Sequence, residues 1–216
     1  MIPIGDDNFQ QRSVPYVNLL LIATNFLVFL WEMLVASNAQ ISTFLVVPAR
    51  LLADPAGQFY TVFTAMFMHA SWLHILGNML YLWIFGDNIE DRVGHGRYLI
   101  FYLVCGIIAT FAQVLADPTS TVPNLGASGA IAGVLGAYLI AFPRQRVRVL
   151  LLAFIIPLPA IIVIGVWFLL QVLNEVSSLG AASGGVAYMA HIGGFIAGMI
   201  LVLLLSSRRQ RPSIYD

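Results

Sequence analysis

Lysine is absent from this 216-residue sequence, cysteine occurs once, and charged residues make up only 9% of the chain. Soluble domains carry about 25% charged residues, so a water-exposed globular surface is excluded. A disordered chain is excluded too, because disorder requires low hydrophobicity and high charge. The ten basic residues are all Arg and are balanced by ten acidic ones. No basic block exists that could hold nucleic acid. The single cysteine, Cys105, lies inside an apolar run. It excludes an internal disulfide and a Cys-based metal site, and it reads as a small buried hydrophobe.

What the sequence has instead is apolar surface. Sixty percent of 216 residues is hydrophobic, roughly 130 residues and room for about six membrane spans. The pattern predicts an all-α, polytopic membrane protein with one domain. The apolar runs between charged or Pro/Gly-rich breaks are 16–36, 70–87, 97–116, 127–142, 148–174 and 185–206. The fourth is short for a full span. The fifth is long and carries Pro157 and Pro159, which predict a kink. Residues 1–15 form a short N-terminal segment, 16–206 the membrane domain and 207–216 a basic tail. The first run reads as a retained helix rather than a signal peptide: only Arg12 precedes it, it carries Glu32, and no A-x-A site directly follows.

Arginine positions predict the topology. Six spans put Arg12, Arg92, Arg97, Arg144, Arg146, Arg148, Arg208, Arg209 and Arg211 on one side and Arg50 alone on the other. The positive-inside rule then places both termini in the cytoplasm of a cell that carries this protein in its plasma membrane. The long loop 37–69 falls on the outer side. Phe59, Tyr60 and Trp72 near its end suit the membrane interface.

A polar side chain inside a membrane helix is costly and is a functional hypothesis by default. Four stand out: His74 and Asn78 in span two, Ser128 opening span four, and His191 in span six. His74 and Asn78 are four apart and share a helix face. Measured from the outer entry of their spans, His74 lies about 6 Å deep, Asn78 about 12 Å and His191 about 9 Å, with Ser128 in a first turn. All four fall in the outer half of the membrane, where one site could gather them.

A serine beside a histidine, with donors nearby, suits acyl transfer. The hydroxyl is a weak nucleophile until a base takes its proton, and an imidazole titrating near neutrality can do so. Asn78, His74 and the backbone N–H of Ser128 could meet the developing oxyanion. No acid is placed to orient His191: Glu32 is on another helix, Asp87 at the inner end of span two and Glu175 near the outer end of span five. A Ser–His dyad is therefore expected rather than a triad. Gly129-x-x-x-Gly133 and Gly194-x-x-x-Gly198 supply small faces that would let spans four and six approach closely.

These residues resemble the rhomboid family of intramembrane serine proteases. The matching pieces are His69-x4-His74-x3-Asn78, Gly126-x-Ser128-Gly129 and Ala190-His191-x-x-Gly194, with Glu90-x-x-x-Gly94 resembling the family's loop signature. The resemblance implies a six-helix bundle with Ser128 as nucleophile and His191 as general base. It implies an oxyanion hole of His74, Asn78 and the Ser128 amide, shaped by Gly126. It also implies single-pass transmembrane substrates entering laterally from the lipid bilayer, with span five and the following loop as a gate. No cofactor or metal is implied. Two departures are visible: Ala132 stands where the family often has an aromatic under the histidine, and Tyr60-Thr61 where it often has Trp-Arg.

Other readings compete. Singly, Ser128 could cap a helix and His74 or His191 could bridge helices. His69 reads as structural or as part of the site's mouth, and His95 as a solvated loop residue. A zinc site at His69, His74 and His191 lacks H-E-x-x-H, and five residues is about 500° of rotation, a poor shared face. A transporter would show inverted symmetry and more intramembrane charge. A catalytically silent rhomboid-like protein that binds membrane clients is the alternative that the sequence leaves open.

Overall fold

A computed structural model describes residues 2–7, 13–178 and 187–206, without the side chains of 175–178. Arg12, the side chain of Glu175, residues 179–184 of the loop assigned to the gate, the first two residues of the sixth predicted span and the tail 207–216 lie outside the described residues. The chain is mostly helical. Its elements are β1 (Ile2–Asp6), α1 (Tyr16–Leu34), α2 (Asn38–Thr43), α3 (Pro48–Ala53), α4 (Pro55–Gln58), α5 (Thr61–Thr64), a 3-10 turn (Ala65–Phe67), α6 (Trp72–Val93), α7 (His95–Ala116), α8 (Ser128–Ala141), β2 (Arg146–Leu151), β3 (Phe154–Pro159), α9 (Ala160–Ser178) and α10 (Tyr188–Leu205).

Three of these, α1, α7 and α10, are long and apolar enough to cross a membrane. Helices α8 and α9 are apolar but shorter over their described stretches. Helix α6 has the length, yet its last two turns carry Asp87, Glu90, Asp91 and Arg92.

Helix α8 is the axis of the bundle. Every residue from Gly129 to Tyr138 is buried, as expected of a helix apolar on all sides and surrounded by others. Small residues make this possible. A Cβ added at Gly198 of α10 would overlap the Gly133 carbonyl of α8, and one at Gly194 would overlap that of Gly129. Both obstacles are backbone, which cannot rotate away. Gly198→Leu is therefore expected to cost about 3 kcal/mol or more, the upper range of overpacking. That corresponds to a fall in Tm of about 6–12 °C at this size. An unchanged melting temperature in detergent would contradict the close α8–α10 contact.

The all-α expectation needs correction. The start of the predicted fifth span, from residue 148, belongs to a three-stranded antiparallel sheet of order β1-β2-β3. The sequence Arg146-Val147-Arg148-Val149 alternates exposed and buried, with Val147 and Val149 fully buried. That is strand periodicity, not helix periodicity. Pro157 and Pro159 therefore kink no helix. They sit on β3, an edge strand, where a missing N–H is tolerated.

The same side of the molecule is rich in buried polar contacts. Asp6 accepts from the Tyr138 hydroxyl at 2.5 Å and from Asn88 at 3.0 Å. Burial pushes its carboxyl above the usual carboxylate range, and those two hydrogen bonds pull it partly back. Glu90, fully buried, accepts from the backbone N–H groups of Val17 at 3.0 Å and Asn18 at 2.7 Å. It thereby satisfies donors that α1 leaves open at its N-terminus. His95 is not simply solvated, as the sequence suggested. It opens α7 and pairs through Nδ1 with Glu90.

Candidate active site

The site is assembled from four helices and the two loops on their shared side. Ser71 caps α6: its hydroxyl accepts from the backbone N–H of His74 at 3.2 Å. The helix therefore starts in a fixed register that turns His74 and Asn78 to one face. His69, just before the helix, is buried and has both ring nitrogens occupied. Its Nδ1–H donates to the Phe67 carbonyl at 3.2 Å, and its Nε2 accepts from the Asn78 amide at 3.0 Å. The backbone N–H of His69 in turn donates to the Glu32 carboxylate at 3.1 Å. This leaves neither His69 nitrogen for a metal, and it fixes the orientation of the Asn78 amide.

The loop before α8 is tied to the loop 37–69. Val46 and Asn124 exchange backbone hydrogen bonds, and the Gly126 N–H donates to the Ala65 carbonyl at 2.8 Å. Gly126 has φ +116°, a conformation that favours glycine. Its position is also tight: an added Cβ would lie 2.8 Å from Cε1 and Nε2 of His74. A side chain here would both strain the backbone and displace that ring. Tyr60, one of the departures from the family pattern, donates its hydroxyl to the Thr43 carbonyl at 2.7 Å and so anchors this loop in its own way.

Ser128 opens α8 with Ala127 as an N-cap residue that provides no side-chain cap. The first amides of a helix have no intrahelical acceptor, and the helix dipole adds partial positive charge there. Across from it, His191 lies in the first turn of α10, whose start is held by a hydrogen bond from the Ala190 N–H to the Gln113 side chain at 3.3 Å. The Ser128 Oγ to His191 Nε2 distance is 2.8 Å. His74, Asn78, Ser128 and His191 together line a cavity of about 360 Å³, bounded also by Pro123 and Leu125. A second cavity, about 270 Å³, reaches the same four residues from the side of Leu73, Tyr81 and Trp167.

Two partners of His191 were not picked out in the sequence, and both come from α9. Gln171 Oε1 lies 2.8 Å from His191 Nδ1, and the Trp167 ring packs tilted against the imidazole with centroids 5.9 Å apart. Trp167 thus gives the histidine an aromatic neighbour although position 132 is alanine. The available signal for Gln171 was an amide in an otherwise apolar run, the criterion that singled out Asn78. Polar burial alone does not mark a site, however. Asn18, buried in α1, only ties helices together, donating to the Leu82 carbonyl at 2.9 Å and accepting from Tyr98 at 2.8 Å.

Comparison with known proteins gives the arrangement a context. A Rhomboid domain family model matches residues 56–208. The chain is 29% identical over 201 residues to Rhomboid protease GluP of Bacillus subtilis, covering 91% of this chain and 39% of that protein. It is 27% identical over 164 residues to Putative rhomboid protease YdcA of the same organism, covering 72% of this chain and 71% of that one. It is 30% identical over 146 residues to Rhomboid protein 1, mitochondrial, of Saccharomyces cerevisiae, covering 65% of this chain and 40% of that protein. The chain thus spans only about two fifths of the length of two of these relatives. With the family model matching well over half of its length, this chain belongs to the rhomboid family.

Proposed function

We propose that this chain is an intramembrane serine protease that cleaves single-pass transmembrane substrates by a Ser128–His191 dyad. The observation that carries the reading is the 2.8 Å contact between Ser128 Oγ and His191 Nε2, in a cavity that also holds His74 and Asn78. His191 Nε2 takes the hydroxyl proton as Oγ bonds to the scissile carbonyl carbon. The negative oxygen then faces donors on Asn78, His74 and the uncapped start of α8. As the C–N bond breaks, the imidazolium returns its proton to the leaving amine. Water then gives a proton to the same nitrogen as its oxygen bonds to the acyl carbon, and that proton passes to Ser128 Oγ as the acyl–oxygen bond breaks.

The membrane reading goes with it. Counting α6, α8 and α9 with α1, α7 and α10 gives six spans, and the arginine bias then sets both termini in the cytoplasm of a cell membrane. Substrate enters laterally from the bilayer, past α9. The similarity to Rhomboid protease GluP and to Putative rhomboid protease YdcA supports the reading.

The test is reconstitution. Purified protein in liposomes is given a single-pass reporter, and its products are mapped by mass spectrometry. Cleavage within or beside the reporter's transmembrane segment, insensitive to a zinc chelator, is expected. A reporter that binds but stays intact would identify a silent client-binding member of the family instead.

A further inference from the structure

Gln171 is set apart by its surroundings. Around it, α9 reads Trp167-Phe168-Leu169-Leu170-Gln171-Val172-Leu173, with Leu169, Leu170 and Leu173 on the outside of the bundle. Trp167 and Gln171 are one helical turn apart and so share a face, and both meet His191. An amide oxygen can only accept a hydrogen bond. Its 2.8 Å contact with Nδ1 therefore requires the proton on Nδ1 and leaves the lone pair on Nε2, the nitrogen 2.8 Å from Ser128 Oγ. The amide's own N–H group points to the Trp167 carbonyl at 3.4 Å, one turn back along α9, which supports this orientation of the amide over its flipped form.

We propose that Gln171 is a positioning residue for the hydrolysis, holding His191 in the tautomer that can accept the Ser128 proton. The inference rests on the hydrolase reading above and adds a third member to the dyad. A neutral amide does here what a carboxylate does in a serine triad: it fixes tautomer and ring orientation. It does so without a buried charge, which apolar surroundings would penalise. A neutral acceptor stabilises the imidazolium less than a carboxylate would, so its removal costs less than the roughly 10⁴-fold effect of a misdirected triad histidine. Because the acceptor sits on α9, His191 is correctly set only while α9 is seated against α10.

The experiment compares wild type with Gln171→Leu, Gln171→Met and Gln171→Glu in liposomes, each checked for an unchanged melting temperature. Loss of the acceptor in the Leu and Met proteins is expected to lower kcat about 10- to 100-fold with little change in KM, the scale of a misplaced catalytic group. Glu keeps an acceptor oxygen in place and is expected to stay within about 10-fold of wild type. The ¹⁵N resonances of His191, assigned by their loss in His191→Ala, should show the Nδ1–H tautomer in wild type and a mixture in the Leu and Met proteins. Wild-type kcat in a folded Leu or Met protein, or an unchanged tautomer, would overturn the proposal. Failure of the hydrolase reading looks different: wild type would then leave the reporter intact, or Ser128→Ala would cleave it as fast as wild type, while the ¹⁵N spectra would still decide whether Gln171 sets the tautomer.

Discussion

Ser128→Ala is expected to lower reporter cleavage by at least about 10⁴-fold while leaving the melting temperature within a few degrees of wild type. In serine hydrolases, loss of the nucleophile leaves only the catalysis that binding and oxyanion stabilisation supply. The change removes one oxygen, and Ala127 already shows that a residue without a polar side chain is tolerated at the start of α8. Stability should therefore hold while turnover collapses. His191→Ala should cost as much, and the double change little more, because the two groups act as one unit. Rates in proteoliposomes, with the three proteins matched for amount, read this out. Additive losses would mean that Ser128 and His191 act in separate steps.

The second large effect is expected at Asn78. A single oxyanion donor is worth roughly 10²–10³ in kcat, and Asn78→Ala should fall in that range with KM nearly constant. The geometry sharpens this expectation. One N–H of the amide is spent on His69 Nε2 at 3.0 Å, so its orientation is set before substrate arrives. The remaining N–H has no partner among the described residues, and Asn78 lines the same cavity as Ser128, where an oxyanion would form. Single-turnover kinetics separate the chemical step from binding. An effect confined to KM would move Asn78 from the oxyanion hole to substrate binding.

Much of this arrangement was legible because apolar runs and their breaks carry both the helices and their ends. The sequence ranges for α6, α7, α8 and α10 differ from the structure by a few residues, apart from the C-terminal end of α6. There the charges Asp87, Glu90, Asp91 and Arg92 ended the apolar run but not the helix, which continues to Val93. Residues at similar distances from one membrane surface can meet, and His74, Asn78, Ser128 and His191 line one cavity.

The misreadings have equally particular causes. Residues 148–159 are apolar enough to pass for the start of a span, and total hydropathy outweighs the Arg-Val alternation that marks β2. Its partner β1 lies more than a hundred residues away, so no local pattern could announce the sheet. His95 looked solvated because its partner, Glu90, is brought back by the turn at Gly94, with φ +89°. Gln171 carries no charge to mark it as a partner for His191, yet fixing a tautomer requires only an acceptor.

The most direct test is covalent. Purified protein in detergent or liposomes is treated with a serine-directed fluorophosphonate, digested and mapped by mass spectrometry. The account predicts one adduct per chain on Ser128, its formation slowed sharply in His191→Ala, where no base remains to take the proton. An adduct on any other residue, or labelling of Ser128 that proceeds equally fast without His191, would contradict it.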